Sequence, residues 1–363
     1  MLVEAPLVTI VTPSLNQGRF IRATIESVLS QDYPRVEYIV MDGGSTDETA
    51  AVASGYGSRL TFISEPDRGQ SDAINKGFRR GRGEVVAWIN SDDLLLEGAV
   101  SAAVEGLARD PAAAAVYGEG NRIDESGRVL GRFPYTEPFN LWKLVHLYDY
   151  VLQQSLFIRR GALDEAGYLD EDLHYTMDWD LLIRLGKRWP LRYIPHSMGA
   201  IREYAAAKSF RGGRERLIEI RDMLRRHTDL RNPPGARLYK WESGSAPLPV
   251  RMITGPRAKR LREESQGLYR DGWVGPKLHY MVPPGAGAIT VRGLCPVAQK
   301  LAITCNGRTG AIRELAPGFF EINVEEPGLA DLEIDASNWA PPASNEPDSS
   351  RRLAWVFRGI ERQ

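Results

Sequence analysis

The chain is 363 residues long, with 43% hydrophobic and 26% charged residues and a formal net charge of −1. Those figures exclude a disordered polyampholyte, a collagen-like fibre and a minimal disulfide-stapled module. They leave a globular protein with room for one large domain and a smaller one.

The amino terminus places Glu4 where a secretory leader would be basic, and its apolar run stops at Thr12 and Pro13. Nowhere do about 18 apolar residues follow one another, so the expectation is a cytoplasmic protein with no membrane-spanning segment. From there, short β-branched runs alternate with helical patterns. Leu7–Thr12 precedes Phe20–Leu29, Val36–Met41 precedes Thr46–Ala53, Leu60–Ile63 precedes Ser71–Arg79, and Glu84–Ile89 precedes Glu97–Leu107. Each strand ends in turn residues. Repetition of this kind predicts an α/β fold, a mostly parallel sheet covered by helices, with its site at the carboxyl ends of the strands.

An arginine-rich helical stretch follows, in which Leu217, Ile220 and Leu224 share one stripe beside Arg221 and Arg225. From Trp273 onward the texture changes to short alternating strands: Lys277–Val282, Ala288–Arg292, Leu301–Cys305, Phe319–Val324, Ala330–Asp335 and Arg352–Arg358. These predict a small all-β sandwich. Its Cys295 and Cys305 read as small hydrophobes on neighbouring strands of a reduced protein, since no Cys-x-x-Cys signature is present.

The expected domains are therefore residues 1–210, a basic helical connector over 211–265, and a β-sandwich over 266–363. The near-neutral total conceals an uneven distribution. Residues 1–207 carry 21 Lys and Arg against 29 Asp and Glu, a net of −8, while 208–270 carry 16 against 7, a net of +9. That excess suits an anionic membrane or a phosphorylated acceptor as well as a solvated helix face. No recognition motif for nucleic acid accompanies it.

The sharpest chemical feature is the carboxylate pair Asp92-Asp93 after the apolar strand ending at Ile89. Such a pair can hold a hard divalent cation through oxygen, the remaining positions going to water and phosphate. Equally, either residue could cap a helix starting near Leu95. Asp178 and Asp180 precede Leu181, Leu182 and Leu185 and pose the same choice between chemistry and capping.

Read together, Val8-Thr-Ile-Val-Thr-Pro-Ser-Leu-Asn-Gln, Tyr38-Ile-Val-Met-Asp-Gly-Gly-Ser-Thr-Asp, Ser64-Glu-Pro-Asp-Arg-Gly-Gln-Ser-Asp-Ala-Ile-Asn-Lys-Gly, Trp88-Ile-Asn-Ser-Asp-Asp and Met177-Asp-Trp-Asp-Leu-Leu-Ile-Arg-Leu resemble a family-2 glycosyltransferase of the GT-A fold over roughly residues 7–210. The resemblance implies a nucleotide-sugar donor, a divalent cation (Mn²⁺ or Mg²⁺) and, in most members, inversion at the anomeric carbon. It sets Pro13, Ser14 and Asn16 against the nucleoside, Asp42 against the base, Ser91 and Asp92 at the ribose, Asp93 on the metal and Asp178 as the catalytic base, with Asp180 as its fallback. Beside the diphosphate it implies Asp67 and Asp72 first, with Arg68, Asn75 and Lys76 near. Gln153 and Gln154 either line the acceptor site or open the buried strand Leu156–Ile158. Trp179 is packing or an acceptor-side wall.

Several positions depart from the family. Leu15 stands where many members carry an aromatic, Gly43 where many carry a second acid, and Ile74 where many carry arginine, which leaves the donor's base open. Tyr204 stands where a histidine is frequent, and His196 is the nearest substitute. Tyrosine is a poor ligand for Mg²⁺ or Mn²⁺ at neutral pH but donates well to phosphate.

The expected activity is transfer of a sugar from a nucleotide-diphosphate sugar to a hydroxyl of a glycan or polyprenyl-diphosphate-linked acceptor. The alternative is a non-catalytic glycan-binding scaffold on a decayed transferase domain. For the tail, which resembles β-sandwich domains appended to some bacterial glycosyltransferases, glycan binding through Trp273 or Trp339, core packing and homodimer contact are the open readings.

Overall fold

The computed structural model describes residues 5–242, 266–268, 273–337 and 354–362. They fall into two compact units, the first comprising Met1–Phe139, Asp149–Leu185 and Pro190–Met223, the second Asn140–Tyr148, Gly186–Trp189 and Leu224–Gln363.

The first unit opens with four βα repeats. Strand β1 (Val8–Ser14) leads to α1 (Gly18–Leu29), β2 (Val36–Asp42) to α2 (Thr49–Ser54), β3 (Thr61–Ser64) to α3 (Gln70–Arg80), and β4 (Val85–Trp88) with the short β5 (Leu94–Leu95) to α4 (Ala99–Arg109). Then come β6 (Ala115–Ile123), β7 (Val129–Arg132), α5 (Leu141–His146) in the second unit, β8 (Phe157–Arg159), α6 (Arg160–Ala166), α7 (Met177–Gly186), β9 (Leu191–Arg202), α8 (Lys208–Arg211), α9 (Gly213–His227) and, again in the second unit, α10 (Pro234–Glu242). The nine-stranded sheet has the order β3-β2-β1-β4-β8-β6-β9-β5, with β7 on β6. Pairing is parallel from β3 to β4 and between β6 and β9, while β8, β5 and β7 join antiparallel.

Every residue of β1 is buried, as a strand covered on both faces requires. Alternation divides them. Val8 and Ile10 join Ile21 and Ile25 of α1 and Val100 and Ala103 of α4 in one core. Val11 faces the other way, toward α3, where a Cβ on Gly77 would lie 2.4 Å from Val11 Cγ1. The bare backbone at Gly77 is what lets α3 approach the sheet this closely. On that same face, Phe78 meets Trp88 edge-on at 6.1 Å. Register then sets the site. Ser14 pairs with Asp42 and Asp42 with Ser64, so the carboxyl ends of β1, β2 and β3 lie level.

The second unit's strands are β10 (Trp273–Val274), β11 (Lys277–Val282), β12 (Ile289–Cys295), β13 (Gln299–Cys305), β14 (Arg308–Leu315), β15 (Gly318–Val324), β16 (Ala330–Ala336) and β17 (Trp355–Arg362). They form two four-stranded antiparallel sheets, β10-β17-β12-β15 and β11-β16-β13-β14. Alternate residues, among them Leu278, Ile289, Leu301, Ile322, Leu332 and Trp355, share one core. This is the expected sandwich. Cys295 and Cys305 are free and buried, though on consecutive strands of opposite sheets rather than on paired ones. The side chain of Trp273 and all of Trp339 lie outside the described residues. Among the described residues, no helix is long and apolar enough to cross a membrane.

Candidate active site

At the carboxyl end of β1 the chain turns sharply. Asn16 takes a left-handed conformation with φ 53°, tolerable for Asn because its side chain bonds locally. Its N–H donates to Ser45 Oγ at 2.7 Å and its Oδ1 accepts from Thr46 N–H at 2.8 Å, which staples the β1 loop to the β2 loop. Pro13 and Ser14 are buried beneath, and Leu15 is 54% exposed at the rim.

Asp42 is not free to meet a base. It is buried, and its oxygens accept from Gly44 N–H, Ser45 N–H, Ser45 Oγ and Ser64 Oγ, so its carboxylate is consumed in shaping the loop. Three further expected donor contacts have partners within the protein. Asp72 accepts from Arg68 N–H and pairs with Lys76 at 3.0 Å; Lys76 also donates to the Pro66 carbonyl. Asn75 is 1% exposed and bonds both the N–H and the carbonyl of Leu169. Arg68 reaches Glu171, and Ile74 is core. Asp67 keeps an oxygen open.

The carboxylate pair follows β4. Neither residue caps α4, whose N-cap position is Gly98. Asp93 is 3% exposed and its oxygens accept from Asn90 Nδ2 (3.0 Å), Gln154 Nε2 (2.6 Å) and the N–H of Arg202 (2.8 Å). Burial, then the adjacent Asp92 charge, push its pKa up to about 7 against those hydrogen bonds. Asp92 is only partly buried. Its Oδ2 accepts from Tyr204 OH at 2.8 Å, and among the described residues its Oδ1 has no partner. The expected metal ligand, Asp93, is thus turned inward, and the oxygen open to a cation belongs to Asp92. Ser91 is buried between them and Thr24, which bonds its carbonyl.

Tyr204 is held by Phe20, with ring centroids 5.0 Å apart, and by the Arg19 guanidinium, 4.9 Å from its ring. Burial and the Asp92 carboxylate push its pKa up to about 12, so it stays a proton donor. His196 is exposed beside Gly98 and is not among the Asp92 contacts.

Gln153 and Gln154 are buried, not open to an acceptor. Gln153 bonds the Trp88 carbonyl and Asn90, while Gln154 holds Asp93. The Oε1 of Gln154 is a buried atom with no hydrogen-bond partner. Trp179, at 2% exposure, is packing and not a wall.

Asp178 lies partly exposed in the first turn of α7 and accepts from the N–H of Trp179 at 2.9 Å. Burial raises its pKa against that bond and the charges of Arg216 and Lys208. Asp180, by contrast, is buried and paired with Arg184 at 2.7 Å, which removes it as a base. A carboxyl that the sequence did not single out, Asp149, is raised well above the usual range by burial and then by the Asp178 charge. From the Lys208 ammonium a path of side-chain hydrogen bonds runs to Gln70 (2.8 Å), on to Asn90 (2.7 Å) and to Asp93 (3.0 Å). Arg202 was also missed. It is 5% exposed, and its guanidinium bonds the carbonyls of Asp92, Asp124 and Glu125.

Among the described residues no three His, Cys, Asp or Glu side chains form a metal cage. A cation shared with substrate phosphates needs no such cage, and one or two carboxylates suffice. The open Asp92 oxygen over a buried, acid-weakened Asp93 fits that kind of ion.

The profile of the family described as Glycosyl transferase family 2 matches residues 9–163. An uncharacterized glycosyltransferase of Mycobacterium tuberculosis is 31% identical over 187 residues, covering 50% of this chain and 70% of that protein. One of Rickettsia felis is 29% identical over 202 residues, covering 53% of this chain, and the match spans only 33% of the Rickettsia protein's length. Among solved structures, S. aureus TarS in complex with UDP-GlcNAc superposes with a TM-score of 0.49 at 16% identity, over 65% of this chain and 71% of that one. By the profile, and by its identity to a relative most of whose length it covers, the chain belongs to glycosyl transferase family 2.

Proposed function

We propose that the chain is an inverting glycosyltransferase that moves a sugar from a nucleotide-diphosphate sugar to a hydroxyl of a glycan or polyprenyl-diphosphate-linked acceptor, with Mn²⁺ or Mg²⁺ on the diphosphate. The observation that carries this reading is the open Asp92 oxygen at the end of β4, next to an Asp93 that is joined through Asn90, Gln70 and Lys208 to the neighbourhood of Asp178. A bound cation supplies charge neutralisation for the departing nucleoside diphosphate. Asp92 is its ligand, and Asp93, fixed by three hydrogen bonds, holds the turn that aims Asp92. Tyr204 keeps its proton and bonds the second oxygen of Asp92. Asp178, which lies near the charges of Arg216 and Lys208, takes the acceptor hydroxyl's proton as that oxygen attacks.

Calorimetry of the full chain with UDP, GDP, CDP, ADP and dTDP in Mn²⁺ tests the reading. At least one is expected to bind, and more weakly when EDTA replaces the metal. Failure of all five would leave the non-catalytic scaffold.

The reading extends to where the acceptor is presented. Net charge of +9 over residues 208–270 supports docking on an anionic membrane carrying a lipid-linked acceptor. Co-sedimentation is expected to rise with the fraction of anionic lipid in vesicles and to fall with salt. Binding indifferent to anionic lipid would remove this extension and leave the transferase reading intact.

A further inference from the structure

The carboxyl ends of β1, β2 and β3 offer a donor nucleobase three side chains of unequal freedom. Asp42 has none, because four hydrogen bonds from Gly44, Ser45 and Ser64 take up its carboxylate inside the protein. Gly43 offers only backbone, and its N–H is already given to the carbonyl of Ser14 at 2.9 Å. The place where a Cβ of residue 43 would stand is filled from the next loop. Asp67 Oδ2 lies 2.5 Å from it and Asp67 Cγ 3.2 Å, closer than a real Cβ tolerates.

The missing side chain at Gly43 is therefore what admits the Asp67 carboxylate to this position. Asp67 is anchored there, because its Oδ1 accepts from the N–H of Gly69 at 2.8 Å. Gly69 has φ +125°, a conformation that glycine adopts at little cost and other residues resist. Asp67 Oδ2 accepts no hydrogen bond among the described residues. An anchored acid with one open acceptor thus stands where the side chain of residue 43 would be.

We propose that Asp67, not Asp42, is the carboxylate that reads the donor's nucleobase, and that the base it selects carries a ring N–H on its pairing edge: uracil, thymine or guanine. The proposal rests on the nucleotide-sugar reading above and names the class of base for that site. An ionised carboxylate only accepts. Uracil and thymine present N3–H, and guanine presents N1–H. Cytosine and adenine present a ring-nitrogen lone pair at the corresponding position, which meets the carboxylate as acceptor against acceptor.

Titration calorimetry in Mn²⁺ with UDP, GDP, CDP and ADP, on the wild type, Asp67→Asn and Gly43→Ala, tests it. The wild type is expected to bind UDP or GDP at least about tenfold tighter than CDP and ADP, and both variants to bring that ratio to within about twofold. Asn keeps an oxygen for the Gly69 N–H while replacing the open acceptor with a donor. A methyl group at residue 43 expels the carboxylate, whose flexible end can yield without unfolding the strand. If both variants weaken all four nucleotides equally and keep the wild-type ranking, Asp67 merely holds its loop and the proposal falls. Wild-type preference for CDP or ADP would also overturn it. A wild type that binds no nucleotide overturns the donor reading itself.

Discussion

Asp178→Asn is expected to lower kcat by about 10²- to 10⁴-fold, the usual contribution of a positioned general base, while nucleotide diphosphate binds within about twofold of wild type. The change is nearly isosteric, and the one hydrogen bond the side chain is shown to accept, from the Trp179 N–H, can be taken by the amide oxygen. What disappears is the site for the acceptor's proton. The pH profile is a second readout. Burial raises the pKa of Asp178, and the base works ionised, so turnover is expected to fall as pH drops through a value above the ordinary carboxylate of about 4. Undiminished transfer by the variant would reject the mechanism outright, since Asp180 is buried against Arg184 and offers no replacement.

The second large effect separates two adjacent carboxylates. Asp92→Ala is expected to abolish the Mn²⁺-dependent part of nucleotide binding, because it removes the open oxygen. Asp93→Asn is expected to keep metal dependence at about 10- to 100-fold lower metal affinity, as changes behind a ligand generally do. Its amide nitrogen would have to face one of three donors, from Asn90, Gln154 and Arg202. Titration of Mn²⁺ against each variant in saturating nucleotide makes the comparison. Metal binding retained by Asp92→Ala and lost in Asp93→Asn would move the ion to Asp93.

The four βα repeats were legible because each strand carries a short, largely apolar run and each ends in turn residues, which placed the strand ends and the acids on them. Direction was not legible. Asp92 and Asp93 are neighbours, and which one turns inward depends on Gln154, 61 residues further on, and on the backbone of Arg202, 109 residues beyond Asp93. Asp42, Asn75 and Lys76 were expected as donor contacts on the family resemblance alone. Their partners are mostly local backbone or a distant loop, and those bonds are visible only once the chain has folded. In the sandwich, β14 went unread because only Ala311 of Arg308–Leu315 is buried, as befits an edge strand. The Asn306-Gly307 pair before it, with φ 50° and 73°, was the available hairpin signal.

Helix α9 was expected to belong to a basic connector, yet Glu219 on it accepts from the N–H groups of His174, Tyr175 and Thr176 and from Thr176 Oγ1. One carboxylate therefore clasps the turn from which α7 and Asp178 start. Trimming the protein to a minimal transferase at residue 210 would discard that clasp, and grafting a different tail at the same point would do likewise. A truncation that keeps the clasp has to retain α9 to its end at His227.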